Sequence, residues 1–438
     1  MADVDRRPVD PVVAVAVAIF AVLRVLAVIG LHPYRYVDSI DYDTLDFTGR
    51  ARRPWATPLL YWLAGEDSHR VVAQALVGAA CWGVLAVELA AGLTHQGVRR
   101  AAVLVVLALG LATSVTNWDT AMLSESLAVS ATALLAAAFL HVSRVRTMRS
   151  VALAAAATLL WGFTRQNHLV LLGLTVVAVL VIVVARRWSS GAWSRVLVAL
   201  AAGTVAVGLL AVVSYGRNTE IRRFNLAMVI GQRIITDPER LGWFRDHGMP
   251  LPPAADPGVA IFPEPLLADD DFADWIDEDG SRTYARFLLT HPWYALTEPL
   301  EDFVADRPSY ADPPRVDETM LSTAEAYGSA RQMIPEPVDD LVFDPGGTGT
   351  ILVAIIAVAA ATAYRWRTDG WDDRWLVPLL MVGLQWPALT AVWHASTAEL
   401  GRLALVSAVA LRIGLIAQAA YLLDTWLKRP ETPKHNRP

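Results

Sequence analysis

Cysteine is almost missing from this 438-residue chain: the one present, Cys81, excludes an intramolecular disulfide and any multi-cysteine metal site. Lysine occurs twice, at Lys428 and Lys434, so the positive charge is carried almost entirely by arginine. Charge itself is scarce, at 18% of residues against 55% hydrophobic, and the mean hydropathy is +0.39. That balance excludes an ordinary soluble enzyme of this size. No Walker sequence, no dinucleotide-binding glycine fingerprint and no HExxH sequence is present, so a cytosolic nucleotide-driven mechanism lacks its usual groups. There is no internal repeat of the kind that builds repeat-based transporters. The first apolar stretch is long and no small-residue cleavage site follows it, which reads as a retained span rather than a removed signal. The formal net charge of -6 identifies no partner, because the two signs are segregated along the chain.

What is present is a series of long apolar runs. Residues 12–31 are apolar apart from Arg24, about the twenty residues a helix needs to cross a bilayer core. Ten candidate membrane helices follow the same logic: 11–31, 71–93, 101–115, 122–142, 151–163, 168–185, 196–214, 350–364, 374–393 and 400–426. The third, fifth and eighth are short, and either extend into flanking polar residues or cross incompletely within protein. With ten spans, Arg6 and Arg7, Arg99 and Arg100, Arg144, Arg146 and Arg149, Arg186, Arg187 and Arg195, Arg365, Arg367 and Arg374, and the basic C-terminal residues all fall on one side. By the positive-inside rule that side is cytoplasmic, and both termini lie there. The sequence therefore predicts an all-α, polytopic membrane protein of the plasma membrane with about ten transmembrane helices.

The organisation that follows is an N-terminal membrane module (1–214), an extracellular, mostly helical insertion (215–349), C-terminal transmembrane helices (350–428) and a cytoplasmic tail (429–438). The insertion carries 25 Asp or Glu against 11 Arg and no Lys, which suits an exterior location. Residues 221–235 and 282–289 have helical apolar spacing, whereas 250–265 is proline-rich and reads as loop. Trp293 and Tyr294 are candidate anchors at the membrane interface.

The first outward loop, residues 37–56, is the leading place to look for chemistry, because Asp38, Asp41, Asp43 and Asp46 crowd a membrane boundary where carboxylates favour water, a metal or a substrate over lipid. Asp38 and Tyr42 can share a helical face; Asp38, Asp41 and Asp43 together cannot, although an irregular turn can converge two of the carboxylates. A carboxylate here can deprotonate a hydroxyl, bind a divalent cation or cap a helix. At the next outward boundary Asp119 and Glu125 flank the start of the fourth span, as supporting acids or as a cap and a first-turn acid. Arg165, Asn167 and His168 stand at the third, where Arg165 can clamp a phosphate or snorkel to headgroups. The last outward turn holds His394, Glu399 and Arg402; Glu399 and Arg402 can pair with one another, or Arg402 can join Arg165 in a positive pocket with His394 orienting a phosphate.

The segment DSIDYDTLDF resembles the acidic-residue and tyrosine segment after the first span of GT-C glycosyltransferases, whose common form is Asp-Glu-x-x-Tyr. Asp38 matches the leading acid and Tyr42 the tyrosine, while Ser39 replaces the second acid. Ser124-Glu125-Ser126-Leu127, Arg165-Gln166-Asn167-His168 and residues 284–293 resemble segments of bacterial members. The Ala, Val and Arg bias points to a high-GC bacterium such as an actinomycete. The resemblance implies a membrane fold of the GT-C type and transfer of a sugar, mannose or arabinofuranose, from a polyprenyl-phosphate donor to an extracytoplasmic glycolipid, wall polysaccharide or protein. It implies Asp38, or otherwise Asp41, as base, with Asp43, Glu125 and Asp119 as supporting acids and Tyr42, Asn167 and Glu399 as supporting groups. Arg165, Arg402 and His394 would hold the donor phosphate. Ser39 favours transfer without a metal, with a divalent-metal version kept open. Partners are then the lipid-linked donor, the acceptor and membrane lipids, with no nucleic acid. Two other classes remain: a transporter of lipid-linked sugar or a proton-coupled solute, in which Asp38, Glu125 and Glu399 carry protons or substrate, and an assembly subunit whose insertion recruits a separate enzyme.

Overall fold

The computed structural model describes residues 10–145, 147–185, 191–216, 218–304, 328–343, 348–397 and 400–428. Among the described residues the chain is all-α; the one β-like feature is an isolated parallel bridge between Tyr34 and Ala121. The first half contains α1 (Pro11–Val28), α2 (Ala56–Ala64), α3 (Asp67–Ala91), α4 (Gln96–Leu111), α5 (Thr113–Thr116), α6 (Glu125–Arg144), α7 (Met148–Gly162), α8 (His168–Ala185) and α9 (Gly191–Tyr215). Next come α10 (Glu220–Val229), α11 (Pro238–Asp246), α12 (Pro263–Leu267), α13 (Asp270–Trp275), α14 (Ser281–Thr290) and α15 (Pro292–Val304). The chain closes with α16 (Glu336–Phe343), α17 (Thr348–Asp369), α18 (Leu376–Gly383), α19 (Gln385–Ala395) and α20 (Leu400–Leu427).

Seven described helices are long and apolar enough to cross a membrane, and the bent pair Gln96–Leu111 with Thr113–Thr120 makes an eighth. This is a polytopic membrane protein. Every one of the ten apolar runs is helical, yet three depart from a plain span. The third bends by 54° after Leu111, where Ala112 adopts extended backbone. The bend is held from outside, because Asp339 of α16 accepts from the Thr113 backbone N–H at 3.1 Å and so caps the new helix start. The fifth stays short, at 15 residues. The ninth breaks at Leu384, as Pro387 has no N–H for the Gly383 carbonyl one turn earlier. The eighth, by contrast, extends through polar residues to Asp369 and reaches 22 residues.

α3, α6 and α20 form the centre, with α1, α4, α7, α9 and α18 packed around them. Small residues allow the close approaches: a side chain at Gly110 would collide with Trp82 and Phe20, and one at Gly78 with the Arg24 guanidinium. At one end of the bundle Asp424 of α20 accepts from the Thr94 and His95 backbone N–H groups at 2.9 and 2.7 Å and pairs with Arg374 and Lys428 at 3.0 Å each. The opposite end carries the loop between α1 and α2, the N-termini of α6, α8 and α20, and the C-terminus of α19.

The insertion is not a detached domain. Its apolar residues, among them Phe244, Phe272, Phe287 and Tyr294, share one core with Leu389, Trp393, Ala404 and Leu411 of α19 and α20. The Arg233 guanidinium lies 3.5 Å over the Trp393 ring and donates to the Trp393 carbonyl. Residues 328–331 then return to α1, where Arg331 donates to the Leu26 and Ile29 carbonyls at 2.8 and 2.7 Å. Those are carbonyls of the α1 C-terminus that have no partner within the helix.

Candidate active site

The acidic loop gains its shape from short-range rules. Residues Val37–Tyr42 form a 3-10 helix, with Ser39 accepting from the Tyr36 backbone N–H at 2.8 Å. Three residues per turn superimpose positions i and i+3, so Asp38 and Asp41 share a face and Tyr42 leaves by another. An α-helical reading of the same residues pairs Asp38 with Tyr42, and the tighter helix changes that. Tyr42 is buried and donates to Ser124 Oγ at 3.1 Å. The loop is fixed to the segment before α6 by the Tyr34 N–H on the Thr120 carbonyl at 2.8 Å and the Met122 N–H on the Tyr34 carbonyl at 2.9 Å. Farther on, Gln166 donates to the Arg52 carbonyl at 3.1 Å and Ala51 to the Ser214 carbonyl at 3.0 Å, so the α8 and α9 ends hold the rest.

These tethers bring together groups that are far apart in sequence. Arg402 Nη2 donates to Asp38 Oδ2 at 2.6 Å, and Arg402 Nε lies 2.9 Å from Glu125 Oε1. Arg165 Nη2 reaches the same Glu125 oxygen at 3.4 Å. Arg53 Nη2 is 3.2 Å from both Asp38 Oδ2 and Asp41 Oδ2, and its guanidinium stands 5.4 Å over the Tyr42 ring. Glu125 is fully buried, Arg165 and Arg402 nearly so, while Asp38 keeps 29% of its side chain exposed. The result is a cluster of three carboxylates and three guanidiniums with one half-open acid. Their formal charges sum to zero, which is what makes the burial tolerable.

Asp38, Asp41, Tyr42, Glu125, Arg165 and Arg402 thus meet. The other residues singled out from sequence are placed elsewhere. Asp43 turns to Arg35 and Arg70, at 2.8 and 2.6 Å, on the side of the loop facing α3. Asp119 is fully buried on Arg24 at 2.9 Å and accepts from Ser126 Oγ at 2.6 Å. His394 has both ring nitrogens engaged, Nδ1 with the Tyr284 hydroxyl at 2.9 Å and Nε2 with the Ala295 carbonyl at 3.0 Å. It therefore belongs to the seam between the insertion and α19. Asn167 is half-buried in the turn before α8, its carbonyl accepting from the Leu171 N–H at 3.3 Å. Glu399 lies outside the described residues.

Arg53 escaped the sequence reading, although a signal for it exists. Arg50, Arg52 and Arg53 stand in a loop that the charge rule places outside, where arginines are under-represented and each calls for a partner. Arg52 finds Asp41 and Glu220 at 3.5 and 3.2 Å, and Arg53 finds Asp38 and Asp41.

Burial by itself would push the Asp38 carboxyl up, but Arg402, Arg53 and Arg165 more than offset this and hold it below the usual carboxylate range. Its ion pairs thus contribute stability that is fully present above the unfolded pKa of about 4 and is lost as pH falls through the depressed folded value. Arg402→Gln removes a lowering partner and leaves the burial. The acid limb of any activity that needs ionised Asp38 should then move to higher pH. A pH–rate profile with an unmoved limb in that variant would show that Asp38 ionisation does not govern the reaction.

Asp38 and Asp41 face guanidiniums, and the Ser39 hydroxyl is turned to the backbone. Beneath the cluster lies an apolar cavity of about 110 Å³ between α6, α7, α8, α9 and α18–α20, lined by Thr132, Phe139, Leu172, Leu200, Leu380 and Val406 among others. Val406 is one turn below Arg402 and Thr132 two turns below Glu125, roughly 6 and 10 Å along the helices.

No protein-family model matches the chain, and no curated protein matches its sequence. Among solved structures it is similar to the archaeal oligosaccharyltransferase AglB from Archaeoglobus fulgidus, in complex with an inhibitory peptide and a dolichol-phosphate. The identity is 13% and the TM-score 0.49, over 95% of this chain and 50% of the other. The chain thus spans half the length of that structure.

Proposed function

We propose that the protein is a membrane glycosyltransferase that moves one sugar, mannose or arabinofuranose, from a polyprenyl-phosphate donor to a hydroxyl of an extracytoplasmic glycolipid, wall polysaccharide or protein. The observation that carries this reading is the half-open Asp38 on Arg402 and Arg53, together with an apolar cavity whose lining residue Val406 stands one helical turn from Arg402. A lipid phosphate needs both parts: guanidiniums for its head and an apolar channel for its chain. In this reading the acidic-loop end faces outward and both termini are cytoplasmic, which the arginine distribution supports.

The reaction is a direct displacement with inversion. The acceptor oxygen attacks the anomeric carbon while Asp38 takes its proton; the bond from that carbon to the phosphate oxygen breaks, and polyprenyl phosphate leaves with one further negative charge. The six clustered side chains begin at zero net formal charge and end at plus one when Asp38 is protonated. The cluster therefore becomes positive as the leaving group becomes more negative, which is differential stabilisation of the developing charge. Arg402, Arg165 and Arg53 are the groups that meet it. Asp41, on the same face and sharing Arg53, is the alternative base. No metal takes part in this mechanism.

Purified protein in nanodiscs, given polyprenyl-phosphate mannose or arabinofuranose and a panel of lipoglycan, polysaccharide and peptide acceptors, should form glycosylated product without ATP, without a membrane gradient and with EDTA present. Movement of intact donor across liposomes, with no bond cleavage at saturating acceptor, would replace the transferase by a lipid-linked-sugar transporter. Restoration of activity by a divalent cation after EDTA would restore the metal-assisted version.

A further inference from the structure

One face of α15 packs against the end of a membrane helix. Tyr294 is buried, edge-on to Trp393 at 5.8 Å, and the Ala295 carbonyl accepts from His394 Nε2 at 3.0 Å. Glu298 pairs with Arg240 at 2.5 Å. The opposite face is apolar and bare: Trp293 is 77% exposed, Leu296 52% and Leu300 46%. Spacings of three and four put these three on a single stripe. Leu289, 83% exposed at the end of α14, lies next to it in the chain.

The depth of this stripe follows from its neighbours. Trp393 and His394 belong to the last turn of a span that runs from Asp373 to Ala395. A helix hydrogen-bonded to that turn sits where the span leaves the hydrocarbon, the level at which tryptophan and an amphipathic helix are both favoured. Bare leucines at that level, on an element already fixed to the membrane helices, have lipid as their adjoining apolar phase. We infer that α15 is an interfacial helix whose Trp293, Leu296 and Leu300 are seated in the lipid of the leaflet at the acidic-loop end. The bilayer then holds the insertion in addition to its shared core with α19 and α20 and its bonds to α1 and α5. This holds whatever reaction the acidic cluster performs. It also divides the two aromatic residues of this region: Trp293 meets lipid, whereas Tyr294 meets protein.

Nitroxide labels provide the test. In the full-length chain with Cys81→Ala, single cysteines at positions 293, 296, 300 and 282 are labelled in phosphatidylcholine–phosphatidylglycerol nanodiscs. Arg282 serves as the water reference, since its side chain is 84% exposed about two turns before Leu289. The ratio of collision with oxygen to collision with a water-soluble nickel chelate should be several-fold higher at 293, 296 and 300 than at 282. A ratio at the three positions equal to that at 282 would place the stripe in water and overturn the inference. Exclusion of both reagents would overturn it as well, by showing protein over the stripe, either another segment of this chain or a second copy. The labelled positions are at least half-exposed or nearly so, so a monodisperse, folded preparation is expected for each.

Discussion

Asp38→Asn should lower the rate of sugar transfer by about a hundred- to ten-thousand-fold, the contribution a positioned general base makes, while donor binding is retained. Asparagine keeps the size and the acceptor oxygen but cannot take a proton. The surrounding arginines still have Asp41 and Glu125, so the cluster keeps two of its three acids and gains net positive charge, which favours an anionic donor. The defect should therefore appear in kcat under conditions where chemistry limits the rate, with little change in donor affinity. Asp41→Asn should be milder, and Asp43→Asn milder still, because Asp43 belongs to the Arg35 and Arg70 network. If Asp41→Asn is inactive and Asp38→Asn turns over near the normal rate, the base is Asp41. If all three remain active, these carboxylates act on structure and charge, and the transfer chemistry lies elsewhere.

The largest effect on stability should come from the Arg24–Asp119 pair. Both side chains are fully inaccessible; Arg24 also donates to the Gly110 carbonyl, and Asp119 accepts from Ser126. The pair joins α1 to the segment that follows the bend after α4, and Ser126 is the immediate neighbour of Glu125. Arg24→Met leaves a buried carboxylate without its counter-charge, and truncating one partner of a buried pair costs about 3–5 kcal/mol. Asp119→Leu leaves a buried guanidinium and should cost a similar amount. The double variant Arg24→Met with Asp119→Leu removes both charges and should recover most of the loss, as apolar replacement of a whole buried pair is often neutral. Denaturant unfolding in bicelles, read as a double-mutant cycle, measures this. Single variants that lose less than about 1 kcal/mol, or a double variant that is merely additive, would remove the ion pair as the tie between these elements.

The acidic loop shows where local rules stop. Its acidity, its boundary position and the Asp38 and Tyr42 spacing are visible in the residues themselves. The sharing of a face by Asp38 and Asp41 is not, because it depends on three rather than 3.6 residues per turn. Arg165 and Arg402 can be singled out as arginines at the ends of apolar helices. That Arg402 closes on Asp38 while Glu125 sits between Arg402 and Arg165 is a matter of how three helix ends meet. The same residue types led elsewhere for His394 and Asp119: a histidine at a helix end and an acid near a span start suit a site equally well as they suit the Tyr284 hydroxyl or the Arg24 guanidinium.

By itself the sequence determined that this is a helical membrane protein, roughly where each apolar helix lies, and which loop concentrates the acids. The physical reason is local: in hydrocarbon every backbone polar group must be satisfied within its own segment, so length and apolarity along the chain suffice to specify a helix. The tertiary structure alone decided which charges meet. A carboxylate in a membrane protein needs a counter-charge, yet any of several arginines could satisfy it, and the choice is made by helices that touch through space. Asp38 and Arg402 are 364 positions apart, Arg24 and Asp119 are 95 apart, and only packing brings either pair within hydrogen-bonding distance.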